Sequence, residues 1–356
     1  MGATKITWTQ KVWNFLRGCS HASRGCDACY AEGMAARFPW GAKITTDGHW
    51  NGQVEILTEK LGDPLRWREP SMVFVNSVSD LFHPAVPFKV IAAAFGVMAA
   101  TPHNTYQILT KRSARMLEFF RWVQDQWDQV RRANGYNPRS TQADICTAEA
   151  ISAGVKSPRL IGAANTPWPL GNVWMGVTAE DQKHLDQRWE DLKQTPASVR
   201  FFSLEPLLEE VDLKEKLGRW SDCPDCGPGV GMDEDGCCAY CGSDAFRYGA
   251  DWVIVGGESG LQARPFELAW ARTVLAQCRG AMAPCFVKQL GARASDPANG
   301  LAGRLLKVAP EAEKLVARRL KDMNGRDLSE WPPELRVQEY PATDAAARAA
   351  RAGRED

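Results

Sequence analysis

Short apolar runs recur along the chain, each closing on small or polar residues: Met72–Asn76, Tyr106–Thr110, Val173–Thr178, Val199–Glu205, Trp252–Glu258 and Pro284–Gln289. Apolarity without alternation over so few residues predicts strands buried on both faces, as in a parallel sheet. Lys5–Trp8 is expected to add an N-terminal strand. Between the runs, the pattern predicts helices over Pro87–Ala100, Arg112–Arg132, Asp181–Lys193 and Phe266–Gly280. Strands alternating with helices make βα units. This many predict an α/β chain whose residues 1–340 form a full or partial TIM-type (βα) barrel. A doubly wound open sheet is the alternative. Two insertions break the rhythm, 121–169 with helical and loop patterns and 216–248, and residues 341–356 are expected to be a mobile tail.

Polar residues sit at the same place on run after run, at or just past its C-terminal end. They are Asn76, Ser77 and Asp80; Thr110, Lys111 and Arg112; Thr178 and Glu180; Ser203 and Glu205; Glu258 and Ser259; Lys288 and Gln289. Any one of them alone reads as a helix cap or loop residue. Repetition points to a shared pocket, because in a barrel these ends converge on one rim.

With 24% charged and 44% hydrophobic residues over 356 positions, the chain can bury a sizeable core, which excludes wholesale disorder. No apolar run reaches the roughly 18–20 residues that cross a bilayer, and MGATKITWTQ does not read as a secretory signal, so export is not expected. A cytoplasmic location and no membrane partner are expected. The 43 basic and 43 acidic residues exclude a uniformly basic nucleic-acid binder and leave room for a local basic patch.

Cysteine changes the picture most. Eleven are present, eight of them in two tight clusters, and clustered cysteines in a long chain without an export signal read as metal ligands. Cys223-x2-Cys226-x11-Cys238-x2-Cys241 has the spacing of a zinc ribbon, with an auxiliary iron–sulfur cluster as its rival. Cys146, Cys278 and Cys285 are isolated and are expected to be buried thiols. Cys19-x6-Cys26-x2-Cys29 follows the first strand. Three thiolates need a fourth ligand, nearest His21, to close a zinc site, but they can hold three irons of a [4Fe–4S] cube and leave one open.

A three-cysteine loop after the first strand of a βα barrel resembles the radical SAM superfamily. The phrases GCDACYAE, VNSVSDLFHP, ILTKR, VWMGVTAED, RFFSLEPLL, VIVGGESG and FVKQLG resemble a phage and prophage family of three-cysteine proteins. Within the superfamily these are similar to spore photoproduct lyase. The first gap is longer than the common C-x3-C-x2-C, and Ala28 stands where an aromatic residue precedes the last cysteine, with Tyr30 just after it.

The resemblance implies that Cys19, Cys26 and Cys29 ligate a [4Fe–4S] cluster whose open iron chelates S-adenosylmethionine. A reductant such as flavodoxin or ferredoxin would supply the electron that releases a 5′-deoxyadenosyl radical. It further implies that Asn76, Ser77, Ser79 and Asp80 lie where the S-adenosylmethionine amino group binds, and that Thr178 and Glu180 lie near the ribose. Lys111, Arg112, Glu205 and Glu258 remain as substrate-binding or catalytic candidates. The Gly-Gly-Glu of Gly256–Glu258 matches a superfamily motif in letters but not in topology. Its glycines are expected to let the backbone approach a ligand closely, with Glu258 in the pocket.

Lys111–Arg139 carries seven basic and three acidic residues, interleaved with Phe119, Phe120, Trp122, Trp127 and Tyr136. Such a face can track phosphates while its rings stack on bases; the plainer reading is an amphipathic helix with a solvated charged side. The phage resemblance extends to the isomerases of thymidine hypermodification. It implies a DNA substrate, a modified pyrimidine flipped out of the duplex, and conversion of an N-linked glycyl thymidine to its C-linked form in the host cytoplasm. The alternatives are a repair lyase similar to spore photoproduct lyase and a non-enzymatic zinc protein that binds nucleic acid.

Overall fold

The computed structural model describes residues 4, 6–134, 139–217, 249–296, 320, 322 and 324–341. Its parallel strands are β1 (Lys11–Trp13), β2 (Met72–Val75), β3 (Thr105–Thr110), β4 (Val173–Thr178), β5 (Val199–Leu204), β6 (Trp252–Gly256) and β7 (Cys285–Gln289). The principal helices are α1 (Tyr30–Ala35), α2 (Phe88–Ala99), α3 (Ser113–Asn134), α4 (Gln142–Ser152), α5 (Pro158–Gly162), α6 (Gln182–Leu192) and α7 (Leu268–Gly280). The fold is mixed α/β, and the chain divides into two compact units. Of the described residues, the first unit holds those within 4–178 and 190–199, and the second those within 179–189 and 200–341.

In the first unit β1 to β4 pair in chain order, all parallel. Every residue of β2 and of β4 is buried, the outcome that unalternating apolar runs predict. The N-terminal strand is Lys11–Trp13 rather than Lys5–Trp8. Trp8 lies instead in a turn, its ring 4.7 Å from that of Phe74. Thr9 Oγ1 donates to the Met72 carbonyl and the Gln10 side chain accepts from Met72 N–H, so the strand starts only after these two residues cap the start of β2. The insertion over 121–169 holds the end of α3, then α4 and α5. Gly96 lets α4 lie against α2, since a Cβ there would stand 2.2 Å from the Cys146 carbonyl oxygen.

In the second unit β5, β6 and β7 pair in parallel with β6 central, and a bulge falls between Val255 and Gly256. Helix α7 follows β6, and Trp252 of β6 donates its indole N–H to the Glu339 carbonyl. The helix expected to begin at Phe266 starts at Leu268, because Phe266–Glu267 pairs as a short strand with Ala294–Ser295. No described helix is long and apolar enough to cross a membrane. The cysteines at 223, 226, 237, 238 and 241, Tyr136, and all of the 341–356 tail beyond Pro341 lie outside the described residues.

Candidate functional site

The cysteine loop leaves β1 through two backbone positions that only particular residues tolerate. Gly18 has φ +93°, and a Cβ there would meet the Gln53 carbonyl oxygen at 2.2 Å. Asn76, just past β2, has φ 59°, and its Oδ1 accepts from the N–H groups of Phe15 and Leu16 at 3.2 and 3.1 Å. The loop is thus tied to the end of β2 before the first cysteine. Cys26 closes a single 3-10 turn over Arg24–Cys26, and Cys29 directly precedes α1. All three thiols are free and half-buried.

Arg112 organises this end of the first unit. Its Nη1 donates to Asp80 Oδ2 at 2.9 Å and reaches Cys19 Sγ at 3.7 Å. Its Nη2 donates to the Ser20 carbonyl and to Ser20 Oγ, at 2.8 and 2.9 Å. Asp80 is fully occupied in turn, by Phe82 N–H, Thr110 Oγ1, Lys111 N–H and the guanidinium. His83 completes the network. Its Nδ1 accepts from Ala85 N–H, so the proton sits on Nε2, which donates to Ser20 Oγ at 2.9 Å.

Burial, then Asp80, pushes the Cys19 thiol up to about 11, against the pull of Arg112. Burial, then Arg112, holds His83 below its ordinary value, in keeping with the neutral tautomer. For Arg112 burial pulls downward, but Asp80 and Cys19 more than offset it, and the net shift is upward.

These contacts redistribute the expected roles. Arg112 and Asp80 spend their polar atoms on each other and on the cysteine loop. Ser77 exchanges hydrogen bonds with Asn14, and Ser79 Oγ donates to the Leu16 carbonyl. Among the expected polar site residues of this unit, two keep an open group. Lys111 has no side-chain partner among the described residues, and Asn76 Nδ2 is a buried donor with none. Thr178 is buried at the end of β4.

His21 does not join the cysteines. Its Nε2 lies 3.0 Å from Glu32 Oε1, and Glu32 also receives His49 and Trp50 N–H. Among the described residues, the trio with ligand atoms mutually within 4.8 Å is Glu180, Asp181 and His184, not the three cysteines with His21.

In the second unit the expected residues are held in separate ion pairs. Glu180 is fully buried against Arg188 at 3.0 Å, with His184 Nδ1 at 3.3 Å, so a cation already fills its surroundings. Glu205 accepts from Lys288 at 2.9 Å. Glu258 accepts from both the backbone and the guanidinium of Arg264. The glycines of Gly256–Glu258 sit where the backbone packs closely. A Cβ on Gly257 would meet the Leu290 carbonyl oxygen at 2.6 Å, and one on Gly256 would meet the Gln289 carbonyl oxygen at 3.0 Å.

The aromatic side of the 111–139 segment belongs largely to the core. Phe119 and Phe120 are buried in a cluster with Phe95, and Trp127 donates to Ser140 Oγ with Arg131 over its ring. Sequence reasoning missed Ser20 and His83. Ser20 directly follows Cys19 and His83 stood inside the quoted VNSVSDLFHP, yet nothing in their spacing marks them as partners across 63 residues. No curated protein and no solved structure matches the chain. A family model does match, over residues 3–332, and the chain belongs to that family, whose description is Protein of unknown function (DUF5131).

Proposed function

We propose that the chain is a radical SAM enzyme, with Cys19, Cys26 and Cys29 holding three irons of a [4Fe–4S] cluster at the C-terminal end of a full or partial TIM-type barrel. The observation that carries this reading is the half-buried Arg112 guanidinium, placed by Asp80 and Ser20 so that it donates to the sulfur of Cys19. A charged donor aimed at a cysteine sulfur suits a thiolate ligand, and hydrogen bonds to sulfur are a recognised lever on such clusters. The Ala22 N–H, 3.5 Å from Cys26 Sγ, is a second donor of that kind. His21, engaged by Glu32, favours the cluster over a Cys3His zinc site.

The residues fit S-adenosylmethionine in part. Asn76 Nδ2 is a buried donor at the end of β2, and a bound carboxylate or ring nitrogen would satisfy it. Asp80 is saturated, so the ammonium falls to other acceptors, such as backbone carbonyls. When bound, the cluster and S-adenosylmethionine supply the electron and the radical that hydrogen abstraction requires. The chain would contribute ligation, the Arg112 donor beside Cys19, and Lys111 as an uncommitted cation for a substrate carboxylate.

The reaction we assign is isomerisation of an N-linked glycyl thymidine in DNA to the C-linked form, with flavodoxin or ferredoxin as electron donor. Zinc at Cys223, Cys226, Cys238 and Cys241 completes the cofactor set. The test combines enzyme, S-adenosylmethionine, reductant and glycyl-modified DNA deuterated at the glycyl Cα, followed by nucleoside mass spectrometry. An isomeric nucleoside with deuterium in, or exchanged through, 5′-deoxyadenosine supports the reading. Neither product, from protein with an intact cluster, removes the isomerase assignment and leaves the repair lyase.

A further inference from the structure

Among the described residues, two aromatic side chains are exposed, Tyr30 at 53% and Phe38 at 51%. Tyr30 opens α1, the helix that begins directly after Cys29, and Phe38 lies just past its end. Phe38 does not stand alone. Its ring is within 10° of parallel to that of Trp40, with centroids 6.3 Å apart, and the Arg17 guanidinium lies 5.0 Å from the Trp40 centroid. Arg37 and Lys43 are exposed on the same short segment.

Charge on this stretch departs from the neutral whole. Residues 11–43 hold five basic side chains (Lys11, Arg17, Arg24, Arg37 and Lys43) and two acidic ones, Asp27 and Glu32. Glu32 is buried and taken by His21, His49 and Trp50. No large aliphatic side chain between residues 17 and 43 is exposed. The segment therefore offers ring faces and cations without an aliphatic surface. That combination matches planar bases strung on phosphates better than acyl chains or the apolar core of a protein interface.

We propose that Phe38 and Trp40, with Arg37 and Lys43 around them and Arg17, paired with Glu55, against the Trp40 ring, form a contact surface for an unpaired stretch of DNA, the bases stacking on the rings and the Arg37 and Lys43 cations meeting phosphates. This deepens the function proposed above by giving the substrate a face beside the cysteine loop, and it rests on that reading for the choice of DNA. It also relocates the stacking role from the buried Phe119 and Phe120 to rings that solvent reaches.

The experiment is fluorescence anisotropy of a labelled oligothymidylate with the full chain, as wild type, Phe38→Ala, Phe38→Tyr and Trp40→Leu. Iron content and melting temperature are measured on the same samples. Vesicles containing anionic lipid serve as the competing probe. Base–aromatic stacking of about 1–3 kcal/mol per base makes the expected loss about fivefold to a hundredfold for Phe38→Ala. Phe38→Tyr should bind like wild type, and because Phe38 is exposed its melting temperature should not move. Affinity within twofold of wild type in Phe38→Ala, absence of DNA binding by the wild type, or preference for the vesicles overturns the proposal. The two readings separate cleanly. Loss of DNA binding in Phe38→Ala from a chain without iron would sink the radical SAM assignment and keep this surface, whereas unchanged binding from a chain with its cluster would sink the surface alone.

Discussion

Replacing Arg112 by Gln should destabilise the metal-free first unit through its partner Asp80. Asp80 is 6% exposed and the Arg112 side chain 11%, so the pair is shielded from solvent. Removing one member of a buried pair leaves an uncompensated charge, at a typical cost of about 3–5 kcal/mol. Phe82 N–H, Thr110 Oγ1 and Lys111 N–H still donate to the carboxylate, which places Arg112→Gln near the lower end of that range. Asp80→Asn strands the guanidinium instead, although Ser20 still accepts from it. The double variant carries neither charge, so it should be more stable than the sum of the single losses implies, by about 2 kcal/mol. Urea unfolding of the four proteins, with slopes compared, measures that coupling. Additivity within about 0.5 kcal/mol would show that the two groups do not depend on each other and would refute the reasoning.

Phe119→Ala should cost about 3–5 kcal/mol of stability, as a core truncation, and leave DNA affinity per folded molecule unchanged; unfolding and anisotropy together check both halves. Because the His83 pKa is lowered on folding, the unfolded chain takes up its proton first. The contribution of His83 is therefore complete above about pH 6.5 and is lost as the pH falls toward the folded value, so His83→Phe should flatten the wild-type fall in stability over that acidic window. Lys111→Met should leave cluster content and DNA binding intact while slowing turnover on bound glycyl-modified DNA, as single-turnover nucleoside analysis would show.

The pattern of apolar runs made the strands legible because a strand buried on both faces has no reason to alternate. Met72–Val75, Val173–Thr178 and Trp252–Gly256 lie within one or two residues of their expected bounds. Lys11–Trp13 was harder to see, since it is short, begins with Lys and is specified by the side chains of Thr9 and Gln10 rather than by its own composition. The cysteines stood out in the sequence as candidate ligands by spacing alone. The roles of Asp80 and Arg112 were not, because a charged residue after a strand looks the same in sequence whether it faces a ligand or another charge. Phe119 and Phe120 show the same limit: interleaved rings and cations on a helix can be a binding face or a core face, and their burial against Phe95 decides for the core.

The most direct measurement is iron and sulfide analysis of anaerobically purified protein, with electron paramagnetic resonance of the reduced form before and after S-adenosylmethionine is added. Wild type, Cys19→Ala, Cys26→Ala and Cys29→Ala would be compared. The account expects about four irons and four sulfides at this site in the wild type, a reduced-cluster signal that S-adenosylmethionine alters, and loss of both in each variant. Stoichiometric zinc that disappears with Cys19, Cys26 or Cys29, and no iron, would contradict it.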